Sequence, residues 1–470
     1  MLFTSLVFLF VFLPVLLFLY YIAPVKIRNS ILILFSLLFY AWGGVSYTII
    51  LLASIGINYI FVNRLNTARK HKKSWLYAGL IFNISLLVAF KYLRFFFEQY
   101  NLWLEWKGDS IAGIALPEYL LPLGISFFTF QQMSLLWDVY RKKNQIQLRL
   151  ADTALYISFF PQLIAGPIVR YNDIIDQIND RHSTASLFES GVYRFVLGLF
   201  RKVVIANGCA AITDGIIDQN TSELTTSVAW LALVSYAFQI YFDFSGYSDM
   251  AIGLGRMFGF NIPENFNFPY LATSVRDFWH RWHISLTNWF RDYVYIPLGG
   301  NRKGNYRTYF NLLLVFLLTG FWHGASWSFV VWGLFHGLFL TIERLGFGNI
   351  LQNLPVFFRW AYTMSVVLLA WVFFRVESLT DALAFIERLF VPNDNSEIGF
   401  IHVLDRQKIV VLLLAVIGCS RLPLLLFQKT VILPALFISW SKTLVMIVIF
   451  VYIVMSINAG SYNPFIYFRF

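Results

Sequence analysis

Apolar runs and short polar connections alternate along the whole chain, and the runs recur at lengths that suit a bilayer. About 20 apolar residues are needed to cross one as a helix. The runs fall near 2–23, 30–42, 47–62, 75–90, 120–140, 188–209, 227–246, 309–322, 326–342, 360–374, 410–418 with its extension, and 433–455. The pattern predicts an all-α, polytopic membrane protein with roughly 11–12 transmembrane helices. The first run lacks a basic n-region and a small-residue cleavage site, and it reads as a retained helix, not a removed signal peptide. No internal repeat and no linker between soluble domains is visible, so residues 1–470 read as one membrane domain.

Basic residues orient the spans, because cytoplasmic loops carry an excess of Lys and Arg. Lys26 and Arg28 follow the first span, Arg64, Arg69, Lys70, Lys72 and Lys73 the third, and Arg141, Lys142, Lys143 and Arg149 the fifth. The intervening connections are poor in them, although Lys91 and Arg94 run against the alternation. The expected arrangement has the amino terminus outside, 276–307 inside and residues 463–470 outside.

Two stretches break the spanning pattern. In 156–167, Pro161, Gly166 and Pro167 interrupt a run too short to cross, which suggests a re-entrant element lined by protein or water. In 275–296, Arg, Asp and His are interspersed with Phe, Trp, Leu and Tyr, which predicts an amphipathic helix at the cytoplasmic interface. Residues 380–390 are a weaker candidate of the same kind.

Composition sharpens the class. The chain is 58% hydrophobic and 13% charged, against about a quarter charged in a soluble domain. Its net charge of +11 lies mostly in short loops beside apolar runs, where it serves topology and anionic headgroups; nucleic acid is excluded as a partner and membrane lipid expected. Cys209 and Cys419 sit in apolar runs as small core residues. The aromatic content of 50 Phe, 25 Tyr and 15 Trp exceeds what lipid-facing helices need, and part of it is available to line a cavity.

Candidate chemistry centres on imidazoles. His323, in Gly320-Phe321-Trp322-His323-Gly324, ends an otherwise apolar run. An ionisable group at membrane depth is costly unless it meets a polar cavity or partner, which makes it a functional candidate. The glycines leave room for close approach. His283, in Arg281-Trp282-His283-Ile284-Ser285, reads in isolation as a headgroup contact; His336 suits helix packing; His71, His182 and His402 lie in polar connections. His280 and His283 are spaced i, i+3 without a third ligand, so no metal is expected. Polar clusters inside spans, Tyr241–Met250 with Asp243, Ser245, Tyr247 and Asp249, and 122–132 with Gln131, are each compatible with interhelical hydrogen bonding, and together they favour a polar chamber. An imidazole there suits acyl transfer: it can deprotonate a hydroxyl near neutral pH, while a thioester supplies the leaving group.

Taken together, Pro161-Gln162-Leu163-Ile164-Ala165-Gly166-Pro167-Ile168, residues 241–251, Asp277-Phe278-Trp279-His280-Arg281-Trp282-His283-Ile284-Ser285, residues 291–302 and Trp322-His323-Gly324 resemble the membrane-bound O-acyltransferase superfamily. Within it they resemble the bacterial branch that contains the alginate O-acetyltransferase membrane subunit and its relatives in cell-wall acetylation and teichoic-acid D-alanylation. The likeness is strongest over 120–343, and the ending 463–470 also fits. The resemblance implies transmembrane, re-entrant and interfacial helices around a central chamber. It implies that His323 is the catalytic histidine and that His283 is a second one on the donor side. Asp243, Ser245, Tyr247, Asp249, Trp322 and Gln131 are expected to bind substrate or support the chamber wall.

The expected function is transfer of an acyl group, acetyl above all, from a cytoplasmic thioester toward polysaccharide hydroxyls outside a bacterial cytoplasmic membrane. No cofactor is expected to be bound; acetyl-CoA or another acyl thioester is the donor substrate. A separate extracytoplasmic acetyltransferase is the implied partner protein. The alternative is a transporter of polysaccharide or lipid-linked sugar, which would share the broken helices and intramembrane polar groups.

Overall fold

The structure, a computed structural model, describes residues 1–68, 70–108, 113–117, 121–141, 148–217, 224–392, 403–422 and 435–460, without the side chains of 435–439. The expected siting of 463–470, and the basic residues Arg69, Lys142 and Lys143, lie outside them, as does His402. No β-strand occurs among the described residues. A helix lies on each of the predicted apolar runs, and among the described residues seven helices are long and apolar enough to cross a membrane. The protein is an all-α, multi-pass membrane protein. Its described residues form two compact units.

The first unit comprises Met1–Ser183 with Gly259–Ile262 and Gly324–Ser326. Its helices are α1 (Phe8–Ile22), α2 (Val25–Ala41), α3 (Val45–Thr67), α4 (Lys72–Trp106), α5 (Ile125–Arg141), α6 (Leu150–Ser158), α7 (Phe160–Leu163) and α8 (Tyr171–Asn179). Lipid is as apolar as Leu, so hydrophobicity alone does not join helices in a bilayer, and polar side chains do part of that work. Asn58 of α3 and Asn83 of α4 exchange amide hydrogen bonds at 3.2 and 2.8 Å, and Ser54 Oγ donates to Gln132 Oε1 of α5 at 2.9 Å.

The Pro- and Gly-broken stretch after α6 is buried throughout. Its freed backbone groups find partners inside the protein. The Phe160 N–H donates to Ser36 Oγ (3.1 Å), Gln162 Nε2 donates to the Tyr156 carbonyl (2.7 Å), and Tyr156 Oη donates to the Val169 carbonyl (3.0 Å). Irregular backbone at membrane depth requires this kind of internal satisfaction.

The second unit comprises Thr184–Phe258, Pro263–His323 and Trp327–Phe470. Its helices are α9 (Ala185–Ile217), α10 (Thr226–Met257), α11 (Val275–Arg281), α12 (Ile284–Phe290), α13 (Gly304–His323) and α14 (Trp327–Ile342), followed by α15 (Gly348–Asn353), α16 (Val356–Arg375), α17 (Leu379–Phe390), α18 (Arg406–Cys419) and α19 (Ala435–Asn458).

A glycine seam sets its core. Gly191 and Gly198 of α9 face Gly253 and Gly246 of α10, in reversed order, as antiparallel helices require. A Cβ on Gly198 would sit 2.6 Å from the Gly246 carbonyl oxygen, and one on Gly191 would sit 2.7 Å from that of Gly253. Only glycine permits this approach. It brings Arg194, Arg201 and Lys202, basic residues inside an apolar span, against the carboxylates of α10. Lys202 Nζ pairs with Asp243 at 2.7 Å, both side chains buried, and also donates to Asn207 Oδ1 at 3.0 Å. Asp249 is held by Arg194 at 2.7 Å and by Arg201. Removing one partner of such a buried pair costs about 3–5 kcal/mol, because a lone charge remains.

α13 and α14 form an antiparallel hairpin packed closely at Gly320 and Gly333: a Cβ on Gly320 would run into the Phe329 carbonyl oxygen, and one on Gly333 into that of Phe316. His323 is the last residue of α13. The amphipathic stretch differs from the single helix predicted for 275–296. It is two helices, α11 and α12, broken at Trp282 and His283, and a π-helical turn, Arg291–Tyr295. His283 has φ 44° and ψ 53°, a left-handed conformation that few non-glycine residues adopt. Residues 380–390 do form an amphipathic helix, α17, burying Ala382, Phe385 and Leu389.

Candidate active site

The break at His283 takes its side chain off the polar face of the amphipathic stretch. His280, three residues earlier, stays exposed, whereas His283 is buried with no exposed surface. This corrects the headgroup contact suggested by its sequence neighbours. It also separates the i, i+3 pair. Among the described residues no group of three His, Cys, Asp or Glu is placed to hold a metal.

Asn265 clamps His283. The extended segment around it pairs with the broken helix: the Ile284 N–H donates to the Asn265 carbonyl at 3.0 Å, and the Asn267 N–H to that of Arg281 at 2.9 Å. Asn265 Oδ1 accepts the Ser285 backbone N–H (3.1 Å) and Ser285 Oγ–H (2.8 Å), while its Nδ2 donates to Ser248 Oγ of α10 (3.1 Å). A backbone N–H can only donate, so the orientation of the amide is fixed. His283 Nδ1 lies 3.2 Å from that same oxygen and must carry the hydrogen. Ser285 Oγ is also 3.5 Å from Nδ1, but its proton is already engaged at the shorter distance. The lone pair is therefore on Nε2, a buried atom with no hydrogen-bond partner among the described residues. Burial pushes the His283 pKa down to about 3, so the ring is neutral at physiological pH.

His323 has different surroundings. Aromatic rings wall it on several sides: Trp322 at 4.8 Å between centroids, Trp332 at 5.0 Å and nearly perpendicular, Phe374 at 5.1 Å, and Phe329 at 6.5 Å. It retains 4% of its surface exposed, where His283 retains none. Trp322 links the two sites: its ring is 6.3 Å from that of His283, which also meets Phe244 edge-on at 4.5 Å. The tertiary structure thus gives two imidazoles, one at the break between α11 and α12 and one at the end of α13, one shared aromatic neighbour.

The other expected residues divide. Trp322 lies at this site. Asp243 and Asp249 are buried on α10 in the ion pairs described above, and Ser245 and Tyr247 are buried on the same helix, Ser245 Oγ without a partner among the described residues. Gln131 is buried in the first unit, its side-chain amide unpartnered among the described residues. His336 packs as expected, accepting from Trp279 Nε1 at 3.4 Å and stacking on Phe278. Cys209 and Cys419 are buried free thiols. Sequence reasoning missed Asn265, although Asn265 and Asn267 alternating with Phe266 and Phe268 between two prolines was a visible signal. It also missed Trp332 and Phe374, which look like ordinary span residues.

Residues 86–384 match the sequence profile of the membrane-bound O-acyltransferase (MBOAT) family. The chain belongs to this family. It is similar to a protein of Pseudomonas putida named "Probable alginate O-acetylase AlgI", 38% identical over 495 aligned residues that cover both chains completely. It is 40% identical over 421 residues to the peptidoglycan O-acetyltransferase of Helicobacter pylori, covering 82% of this chain and 78% of that one. The teichoic acid D-alanyltransferase of Bacillus subtilis is 32% identical over 232 residues, 47% of this chain and 58% of its own length. The protein is an acyltransferase, and the MBOAT profile spans the His283 clamp, the His323 box and the paired carboxylates alike.

Proposed function

We propose that this MBOAT protein moves an acetyl group from a cytoplasmic thioester, acetyl-CoA or an acyl carrier protein, toward polysaccharide hydroxyls on the outer side of a bacterial cytoplasmic membrane. The observation that carries this reading is the pair of imidazoles sharing Trp322, one neutral with its lone pair assigned, the other at an aromatic-walled position with residual exposure. His323 acts as general base. It takes the proton of the acceptor hydroxyl as the new C–O bond forms, the thioester C–S bond breaks, and the proton passes to the departing thiolate. His283, neutral and presenting Nε2, accepts a hydrogen bond from the donor. Asp243 and Asp249, fixed by cations, hold α9 against α10 and so support the wall that carries Ser248 and Phe244.

Orientation follows from charge. The end of the α13–α14 hairpin away from His323 carries Arg302, Lys303, Arg307 and Arg344, the mark of a cytoplasmic face. Family membership favours transfer chemistry over the transporter alternative. An extracytoplasmic acetyltransferase that completes delivery to the polymer is part of the proposal, and the relatives' names, which concern alginate, peptidoglycan and teichoic acid, support a polymeric acceptor.

The test is acetyl transfer or thioester hydrolysis by the purified protein with radiolabelled acetyl-CoA. Loss of turnover in His323→Ala, with unchanged membrane yield and thermal stability, supports the assignment. Full turnover in that variant sinks it.

A further inference from the structure

A second polar site lies in the same unit, beyond the far end of α14 from His323. Over its 16 residues α14 rises about 24 Å, so this site is remote from the imidazoles. The chain turns there through Gly346, at φ 133°, and closes on itself at Gly348, where a Cβ would meet the Glu343 carbonyl oxygen at 2.8 Å. The turn and the starts of α11 and α16 enclose a cavity of about 340 Å³. Its lining includes Arg276, Arg344, Arg359, Glu343, Asn349 and Gln352.

Three guanidinium groups here face one carboxylate, and that carboxylate is already engaged. Glu343 accepts the backbone N–H groups of Val275 at 2.6 Å and Arg276 at 3.1 Å. Among the described residues Arg344 and Arg359 have no ion pair, and Arg359 Nε is buried without a hydrogen-bond partner. A buried charged donor without an acceptor is costly. The cavity therefore has an excess of positive charge and of N–H donors, a complement to phosphate oxygens.

The adjoining surface is apolar. Leu345, Ile350, Val356, Phe357 and Phe358 are 57–66% exposed, on the same short stretch that lines the cavity. A cationic pocket beside exposed apolar side chains fits an amphiphile. We infer that this cavity binds the phosphate of an anionic phospholipid headgroup, with the lipid's acyl chains lying over Val356, Phe357 and Phe358. The site is separate from the acyl-transfer machinery and does not depend on how that chemistry is assigned.

The test is native mass spectrometry and thermal denaturation of the purified full chain in neutral detergent, with phosphatidylglycerol or phosphatidylcholine of matched chains. The wild type is expected to retain phosphatidylglycerol preferentially and to be stabilised by it. R344Q, a change at an exposed residue, should weaken retention about tenfold, the loss expected of one charge-assisted contact, and R344Q/R359Q should abolish the preference. Equal retention of the two lipids by the wild type, or undiminished preference in the double variant, overturns the proposal. So does protection of the wild type by coenzyme A or inorganic phosphate, lost in the variants, with no effect of lipid: the phosphate then belongs to a soluble ligand.

Discussion

His283 and His323 share one aromatic neighbour and little else. His283 is defined by hydrogen bonds: a left-handed backbone turn, one amide oxygen and a neighbouring serine fix its position and its tautomer. His323 is defined by shape: four rings surround it at the end of a helix, and the residue as a whole keeps 4% of its surface exposed. The contrast teaches how one fold can give two identical side chains opposite environments. An imidazole with a fixed lone pair is suited to recognise a ligand from one direction. One held by ring faces and edges is suited to accept and release a proton, as a general base must.

The contrast breaks first at His323. His323→Ala is expected to lower kcat about 10²–10⁴-fold, the usual contribution of a general base, with donor KM little changed; a KM-dominated loss would reverse the two roles. For His283→Ala the expectation is the opposite split. Donor KM rises about tenfold, the worth of one buried hydrogen bond of ~1.5 kcal/mol, while kcat is largely retained. Asn265→Ala frees the tautomer and should raise the same KM by a few-fold. Asn265→Asp, in contrast, keeps an acceptor on Nδ1–H but adds negative charge, which favours the protonated ring and moves the acid-side inflection of kcat/KM to higher pH. An unchanged pH profile in Asn265→Asp would show that His283 has no part in donor recognition.

The smallest effect near neutrality is on stability. The folded His283 takes up a proton only near pH 3, the unfolded chain near 6.5. Between those values unfolding binds a proton, so this contribution to stability is present above about pH 6.5 and is lost as the pH falls toward 3, by about 1.4 kcal/mol per unit. His283→Gln should flatten that slope in thermal melts across pH 4–7. A slope identical to that of the wild type would mean that the ring is not sealed.

Much of the fold was legible because bilayer physics writes itself into sequence directly. Each long apolar run became a helix, and the Pro161 and Gly166 interruption became a buried, broken element, since local composition decides both. The site was half legible. His323 stood out because an imidazole after Phe316, Leu317 and Phe321 has no local reason to be there. His283 was misread from its neighbours as a surface residue, because nothing in Arg281-Trp282-His283 announces a left-handed residue. Its burial depends on Asn265, an 18-residue detour away in the chain. The intramembrane charges of α9 were visible, but their purpose was not. Arg201 and Lys202 make sense only once Gly198 and Gly246 let two helices close and set Asp249 and Asp243 beside them.

By itself the sequence determined the class: an all-helical chain in a membrane, broken at stated places, with the imidazoles of His323 and His336 at apolar runs and a recognisable set of acyltransferase motifs. These follow from hydrophobic length, proline and glycine, which act within a few residues. Only the tertiary structure decided which nitrogen of His283 holds the proton, which carboxylates are neutralised, and that His283 and His323 meet the same indole. Those outcomes depend on groups far apart in the chain: the carboxylates meet their cations because glycine-lined helices pack closely, and His283 meets Asn265 because an extended segment runs beside the helix break.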